Sequence, residues 1–227
     1  MRTELNKHDP LKRQEDVSSK DRGSEYSPMN PPEAYNPPCI IKVDYKEFHP
    51  VLQRLVDEHN DLKGNLLLFE NMLNELQKNS GLGLDLKNKI LNFLDIFEHD
   101  FTLHNKQEEK HLFPLLSKRF LEIGEHSKAK NPITPIHVLE DEHREATKIA
   151  TEAHYIWTLV FKISNPAIHH LLLKEFLIKS LKLIEIVRLH IFREDDIVFS
   201  LAQKNLTKDE LDLIFKTTSL YTQAKIT

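Results

Sequence analysis

A duplicated histidine–glutamate pattern constrains this chain more than any other feature of its sequence. His104 and Glu108 are four residues apart, and so are His190 and Glu194. Residues four apart lie on one face of a helix, about one turn from each other, so each pair can reach the same point. One such pair arises by chance in many helical proteins, whereas two pairs with the same spacing indicate that both have the same function.

Each pair is preceded by a single histidine in the tripeptide Asp-Glu-His. His59 ends the first tripeptide and His143 ends the second. The interval from the single histidine to the pair is 45 residues in the first half and 47 residues in the second. The sequence therefore carries His, then His-x-x-x-Glu, twice in the same order.

Composition favours a helical protein and excludes several other classes. The 227 residues include only five glycines, and the net charge of −4 offers no basic field for nucleic acid. No uncharged apolar run approaches the roughly 20 residues of a membrane span, and the first residues show no secretory signal. The single cysteine, Cys39, excludes an intramolecular disulfide and a thiolate cage for a metal. We therefore expect a soluble, cytoplasmic protein.

Apolar residues spaced three and four apart predict four long amphipathic helices and no strands. We place the four helices at residues 50–78, 85–113, 135–161 and 166–203, and a short fifth helix after the capping-box signature at Thr207. Pro114 is expected to end or kink the second helix, and Ser117–Lys130 to form a looser stretch. The predicted fold class is all-α, an up-down-up-down four-helix bundle with a short fifth C-terminal helix.

The chain divides into three predicted parts. Residues 1–45 contain six of the 11 prolines and few large apolar residues, which is typical of an irregular arm. Its apolar portion, residues 39–43, is a candidate for docking on the domain. Residues 46–205 are predicted to form the bundle, and residues 206–227 to form a short helix packed on it.

The repeated histidines and glutamates fall on the buried faces of these helices. A buried carboxylate is costly, and the cost is removed if it binds a cation. Four imidazoles and two carboxylates suit two borderline divalent metals, whereas an iron–sulfur cluster would need thiolates. If both carboxylates bridge, octahedral iron keeps room for a bridging oxygen and one exogenous ligand. The candidate metal ligands are His59, His104, Glu108, His143, His190 and Glu194.

Three further residues lie on or beside these faces. His111, seven residues after His104, is a candidate for supporting a ligand or lining the ligand pocket. His154 lies farther along the third helix and is interpreted as structural. Glu140 is a weaker candidate carboxylate, since the apolar stripe of the third helix can take in either Leu139 or Glu140.

The motifs resemble those of the hemerythrin-type, HHE cation-binding, domain. His104 to Pro114 is similar to that family's His-x-x-x-Glu-Glu-x-x-Leu-Phe-Pro. His190 to Phe199 resembles the second copy, with Ser200 where proline is common. Pro135-Ile136 through Glu142-His143 resembles the entry to the third helix, in an arrangement closest to the C-terminal domain of the iron–sulfur-cluster repair di-iron proteins.

The resemblance, which covers about residues 48–203, implies an oxo-bridged centre of two iron ions. Its terminal ligands would be His59, His104, His143 and His190, and its bridges would be Glu108 and Glu194. The resemblance also implies binding of nitric oxide, oxygen or peroxide, or supply of iron, under oxidative or nitrosative stress. The implied partners are apo iron–sulfur proteins and a reductase, with neither nucleic acid nor a membrane.

Two departures from the family narrow the function. The animal oxygen carriers have a second third-helix histidine where this chain has Thr147, which argues against an oxygen carrier. The repair proteins have paired cysteines in an N-terminal domain, whereas this chain has Cys39 alone, which argues against a complete repair activity. Three classes stay open: a non-enzymatic di-iron ligand binder, a di-iron reductase or peroxidase served by a separate reductase, and a structural bundle with zinc or no metal.

Overall fold

The computed structural model describes residues 42–78, 83–127 and 129–223, with side chains to residue 218, and every regular element in these ranges is helical. Here seven α-helices follow one 3-10 turn: α1 Pro50–Lys78, α2 Leu84–Gln107, α3 Phe113–Ile123, α4 Pro135–Val160, α5 Pro166–Arg193, α6 Phe199–Asn205 and α7 Lys208–Gln223. The first π segment, Glu108–Leu112, joins α2 to α3, and the second π segment, Glu194–Val198, joins α5 to α6. The predicted all-α fold is confirmed. The N-terminal arm as far as residue 41, including Cys39, lies outside the described residues.

Local sequence signals set the starts of α5 and α7. Asn165 precedes α5, and its Oδ1 accepts hydrogen bonds from the backbone N–H groups of Ala167 and Ile168 at 3.0 and 3.3 Å. Thr207 and Glu210 form the predicted capping box at α7. The Thr207 N–H donates to Glu210 Oε2 at 2.7 Å, and the Glu210 N–H donates to Thr207 Oγ1 at 3.3 Å.

The secondary structure that follows α2 differs from the structure that the sequence predicted. Pro114 does not end the helical path, and the first half of the stretch predicted to be loose is helical, because α3 runs to Ile123. Pro114 lies in the first turn of α3, where a missing N–H removes no helical hydrogen bond. Gly124 then ends α3 with φ 82°, a left-handed conformation that glycine adopts without steric cost.

The described chain divides into two compact units. The histidine unit consists of Leu55–Gln107 and Asp141–His190, and thus of parts of α1, α2, α4 and α5. The carboxylate unit consists of the described residues up to Arg54, of Glu108–Glu140, and of the chain from Ile191 onward. It contains both π segments together with α3, α6 and α7.

Successive helices of the histidine unit are antiparallel, as the up-down-up-down prediction requires. Residues early in one helix contact residues late in the next, and later residues of the first contact earlier residues of the second. The contacts are His59–His104 and Phe69–Phe93 for α1 and α2, Asp95–His154 and Phe101–His143 for α2 and α4, and His143–His190 and Glu152–Lys179 for α4 and α5. The predicted helical bundle is therefore confirmed.

The buried stripe of α4 agrees with its prediction at most positions, among them Ile136, His143, Ala150 and Trp157, and departs from it by one residue at three others. Leu139, with no exposed surface, takes the core position that Glu140 was a candidate for. Farther along, the buried residues are Ala146, Ala153 and Val160, where the pattern predicted Thr147, His154 and Phe161. Steps of three and four can be chosen in more than one way along a 3.6-residue period, and small alanines do not mark a stripe as clearly as leucines do.

Within the carboxylate unit, residues 42–49 form a strap along the second π segment and α6. Lys42 Nζ lies 2.5 Å from Asp196 Oδ1 in the second π segment. The backbone N–H of Val43 donates a hydrogen bond to Ser200 Oγ in α6 at 3.1 Å. The first π segment is contacted by α3 and α7. Both π segments are therefore covered by other parts of the unit that contains them.

Candidate metal centre

The four predicted histidines meet in two pairs inside the histidine unit. Nε2 of His59 lies 2.9 Å from Nε2 of His104, and Nε2 of His143 lies 3.0 Å from Nε2 of His190. All four side chains are buried, with at most 7% of the residue exposed. Two nitrogens bound to one metal at ~2.0–2.1 Å and at right angles would be about 2.9 Å apart. Each pair therefore has the separation expected of two nitrogen donors to one cation.

Glu108 and Glu194 begin the two π segments, and both are buried, at 1% and 0% exposure. In the second segment the Phe199 N–H donates to the carbonyl oxygen of Glu194, five residues earlier, which is the hydrogen bond of a π turn. The first copy has Pro114 after its π segment, whereas the second has Ser200. Proline is therefore not the common cause, and the shared feature is the buried glutamate at the start of each segment.

Ligand atoms of these six residues form two buried groups that share both glutamates. In one group, atoms of His59, His104, Glu108 and Glu194 all lie within 4.8 Å of one another, and in the other, atoms of Glu108, His143, His190 and Glu194 do. Each group offers two imidazole nitrogens and carboxylate oxygens, a donor set that suits a borderline divalent cation. The residues present thus fit a metal, and both glutamates belong to both groups.

A carboxylate also supports one histidine of each pair. A carboxylate can only accept, so Nδ1–H of His104 donates to Glu58 Oε2 at 2.7 Å, and Nδ1–H of His190 donates to Glu142 Oε2 at 3.2 Å. With the proton on Nδ1, the lone pair is on Nε2, the atom that faces the partner histidine. The sequence motifs had not predicted a role for these two glutamates. A glutamate directly precedes the single histidine in both halves of the sequence, and this repetition could have indicated a shared role.

The three weaker candidates belong to neither metal-binding group. His111 is half-buried in the first π segment, and burial lowers the pKa of its imidazole. His154 is 27% exposed and lies 3.5 Å from carboxylate oxygens of both Asp95 and Glu98. Glu140 is half-buried beside the core position of α4.

Together, the antiparallel helices and the buried histidine–glutamate groups define a metal-binding helical bundle. The family model of the hemerythrin HHE cation-binding domain matches residues 51–202, which is more than half of the chain. The chain belongs to the hemerythrin HHE cation-binding family, as the sequence motifs predicted. No curated protein matches it. Among the described helices, none combines the length and the apolar character that crossing a membrane requires.

Proposed function

We propose that the chain holds two iron ions and that its reduced form binds nitric oxide. The observation that supports two ions is the sharing of Glu108 and Glu194 by two buried groups. His59 and His104 would bind one iron, His143 and His190 the other, and the two glutamates would bridge them. Imidazole and carboxylate ligands together suit iron, and bound iron would supply coordination places that a small ligand can enter.

The chain's own residues would prepare the histidines for this role. Glu58 and Glu142 hold the protons of His104 and His190 on Nδ1, which keeps the Nε2 lone pairs available. The histidines are buried, so bulk water does not compete freely for the same positions. Organisation of this kind favours a bound cation, because little reorientation is needed when it enters.

Thr147 supports the choice of nitric oxide over reversible oxygen carriage. It is half-buried on α4 and stands where the oxygen carriers have a further histidine. A threonine hydroxyl is a poor substitute for an imidazole as a metal ligand. A centre with one ligand fewer is more open, so we expect rapid nitric oxide binding and rapid oxidation in air.

Metal analysis and gas binding test the proposal. Protein purified without added metal is expected to contain, or to take up, two irons per chain. After anaerobic reduction, nitric oxide should change the optical and paramagnetic resonance spectra, whereas oxygen should oxidise the protein without long-lived, reversible binding. The variant His154→Ala serves as the control, because His154 lies outside both groups.

Each other result would assign the chain to a different class. A metal content near one, or zinc with no capacity for iron, would overturn the two-iron centre. Reversible, long-lived oxygen binding would indicate a carrier, and no reaction with either gas would indicate a structural bundle. Steady turnover with a reductant would indicate an enzyme, and transfer of iron to an apo iron–sulfur protein would indicate iron supply.

A further inference from the structure

We infer that the side-chain amide of Asn105 is a further functional group of the metal centre and that it forms a hydrogen bond with the small molecule bound there. This inference rests on the proposed function and names a residue that would hold the ligand in place. Three observations support it: the burial of Asn105, the lack of a protein partner for its carbonyl oxygen, and its position on the inner face of α2.

Asn105 is a buried amide whose carbonyl oxygen has no protein partner. The residue is only 5% exposed. Its Oδ1 is shielded from solvent and makes no hydrogen bond to any part of the chain that the structure describes. An unpaired buried amide lowers stability, because the hydrogen bonds that it makes to water in the unfolded chain are not replaced on folding. Asn105 therefore needs a partner that the described chain does not supply.

The position of Asn105 on α2 turns its side chain towards the histidines. Phe101, four residues earlier, shares a helix face with Asn105. The Phe101 ring packs edge-to-face on His143 and on His190, with ring centroids 6.0 and 6.2 Å apart. His104, directly before Asn105, faces its own partner histidine, with the two Nε2 atoms 2.9 Å apart. Asn105 thus lies on α2 between a residue that packs on one histidine pair and a residue that belongs to the other.

The internal repeat shows that an amide is not required at this place in the motif. In the second copy, the residue after the paired histidine is Ile191, which is completely buried. An apolar side chain of similar size would fill the space at Asn105 without burying an unpaired polar group, and leucine would also favour the helix more than asparagine does. Binding therefore explains the amide better than packing does.

An amide suits a small ligand because it can either donate or accept a hydrogen bond. Its NH2 group donates and its carbonyl oxygen accepts, and a half-turn of the side-chain amide exchanges the two. Water can therefore donate to Asn105, whereas nitric oxide, which carries no proton, can accept from it. A hydrogen bond of this kind is stronger in a buried site than at the surface, because the surroundings are less polar than water. Asn105 would thus slow the escape of bound nitric oxide.

Removing the amide while keeping the shape of the side chain tests this inference. Wild type and Asn105→Leu are prepared metal-free and loaded with iron, and the loaded proteins are reduced anaerobically and titrated with nitric oxide. Asn105→Leu should still take up two irons but bind nitric oxide about three- to tenfold more weakly, the loss expected for one hydrogen bond. Metal-free Asn105→Leu should be at least as stable to urea as wild type, because the unpaired amide is gone.

The vibrational spectrum of the nitric oxide complex separates a hydrogen bond from the filling of space. The N–O stretching frequency should shift between water and heavy water for wild type, because the amide N–H becomes N–D, and should shift less for Asn105→Leu. Ser180→Ala is the matched control, since Ser180 is completely buried and its hydroxyl also has no partner in the described chain. Ser180 lies ten residues before His190, about 15 Å along α5. Its substitution should change neither the affinity nor the isotope shift.

The possible failures can be told apart. Wild type that binds no iron, or no nitric oxide, contradicts the proposed function, and this inference with it. Equal affinity and an equal isotope shift in wild type and Asn105→Leu, or an equal loss in Ser180→Ala, overturn only the role of Asn105. If Asn105→Leu does not hold two irons, Asn105→Ala replaces it, with the same weakening expected, because alanine also lacks the amide.

Discussion

The Glu58 carboxylate of α1 accepts a hydrogen bond from Nδ1 of His104 on α2 at 2.7 Å. Glu142 of α4 makes the same contact with His190 of α5. In both halves, the residue after this glutamate is a histidine, and its Nε2 faces the Nε2 of the supported histidine: His59 faces His104, and His143 faces His190. One tripeptide thus supplies an inward imidazole and also the support for the imidazole on the next helix.

Removing the charge of these supports should weaken metal binding. We expect Glu58→Gln and Glu142→Gln each to lower metal affinity by about 10- to 100-fold, because the Nδ1 proton is held less firmly and the Nε2 donor is less basic. Competition with a chelator of known affinity measures the change. Asp57→Asn and Asp141→Asn, in the same tripeptides but on exposed side chains, are the controls. Equal losses in the controls would show a general charge effect and contradict the specific role.

The two shared glutamates should be needed for a two-metal centre. We expect Glu108→Ala or Glu194→Ala to lose at least one metal, together with the spectrum of a coupled pair of irons. Stability of the metal-loaded protein should also fall, because the binding free energy that a metal contributes to the fold is reduced. Metal content and the thermal midpoint with and without metal measure both effects. Glu109→Ala, an exposed neighbour in the first π segment, is the matched control. Retention of two coupled irons in both variants would show that the bridging assignment is wrong.

The strap should depend on Ser200 more than on its surface ion pair. Ser200→Ala removes the acceptor of the buried Val43 N–H, so we expect a loss of about 1–3 kcal/mol in the free energy of unfolding. Lys42→Ala breaks a contact between partly exposed side chains and should cost only about 0–1 kcal/mol. Urea unfolding measures both.

Ser180 provides the control for this comparison. It is as deeply buried as Ser200, but its hydroxyl makes no hydrogen bond to any part of the chain that the structure describes. Ser180→Ala should therefore be close to neutral or slightly stabilising. If the alanine variants at 180 and 200 lose equal stability, the contact with Val43 contributes nothing beyond filling space.

The capping box of α7 should make stability depend on pH on the acid side. The Thr207 N–H holds the pKa of Glu210 below its ordinary value, and Arg119 adds to this effect. Since the pKa is lower in the folded state, the contribution is present above the unfolded-state pKa and is lost as the pH falls through the folded-state pKa.

Two substitutions test that contribution. Thr207→Ala should cost about 1 kcal/mol near neutral pH, because the cap of α7 is lost. Glu210→Gln should flatten the fall of stability between near-neutral and acid pH, with Asp209→Asn, an exposed neighbour, as the control. Urea unfolding at several pH values measures the slopes. An unchanged slope for Glu210→Gln would assign the acid sensitivity to other carboxylates.

The features that short segments control were predictable from the sequence. The periodicity of leucine and phenylalanine predicted the long helices, and the capping-box signature at Thr207 predicted where α7 begins. These features depend on hydrogen bonds and side-chain spacing within one or two turns, so the necessary information lies in adjacent residues. The six candidate ligands followed from the same spacing, because burying polar groups on the core face of a helix is unfavourable unless they bind a partner such as a cation.

The continuation of the helix past Pro114 could not be read from that spacing. A proline in a helical pattern usually marks an end, but here a π turn precedes it and Pro114 lies in the first turn of the next helix. Each π turn begins at a buried glutamate, Glu108 or Glu194. The periodicity of the apolar residues carries no signal for such a turn.

The long helices, the repeat and the family could all be predicted from the order of the amino acids. The packing of the helices was needed to show which histidines face each other, that Glu58 and Glu142 support the imidazoles of neighbouring helices, and that Phe101 packs on one histidine pair. Periodicity tells which residues share a face of one helix, but the rotation of each helix against its neighbours decides what that face meets. A near-perfect repeat in sequence therefore folds into two similar histidine pairs with different surroundings.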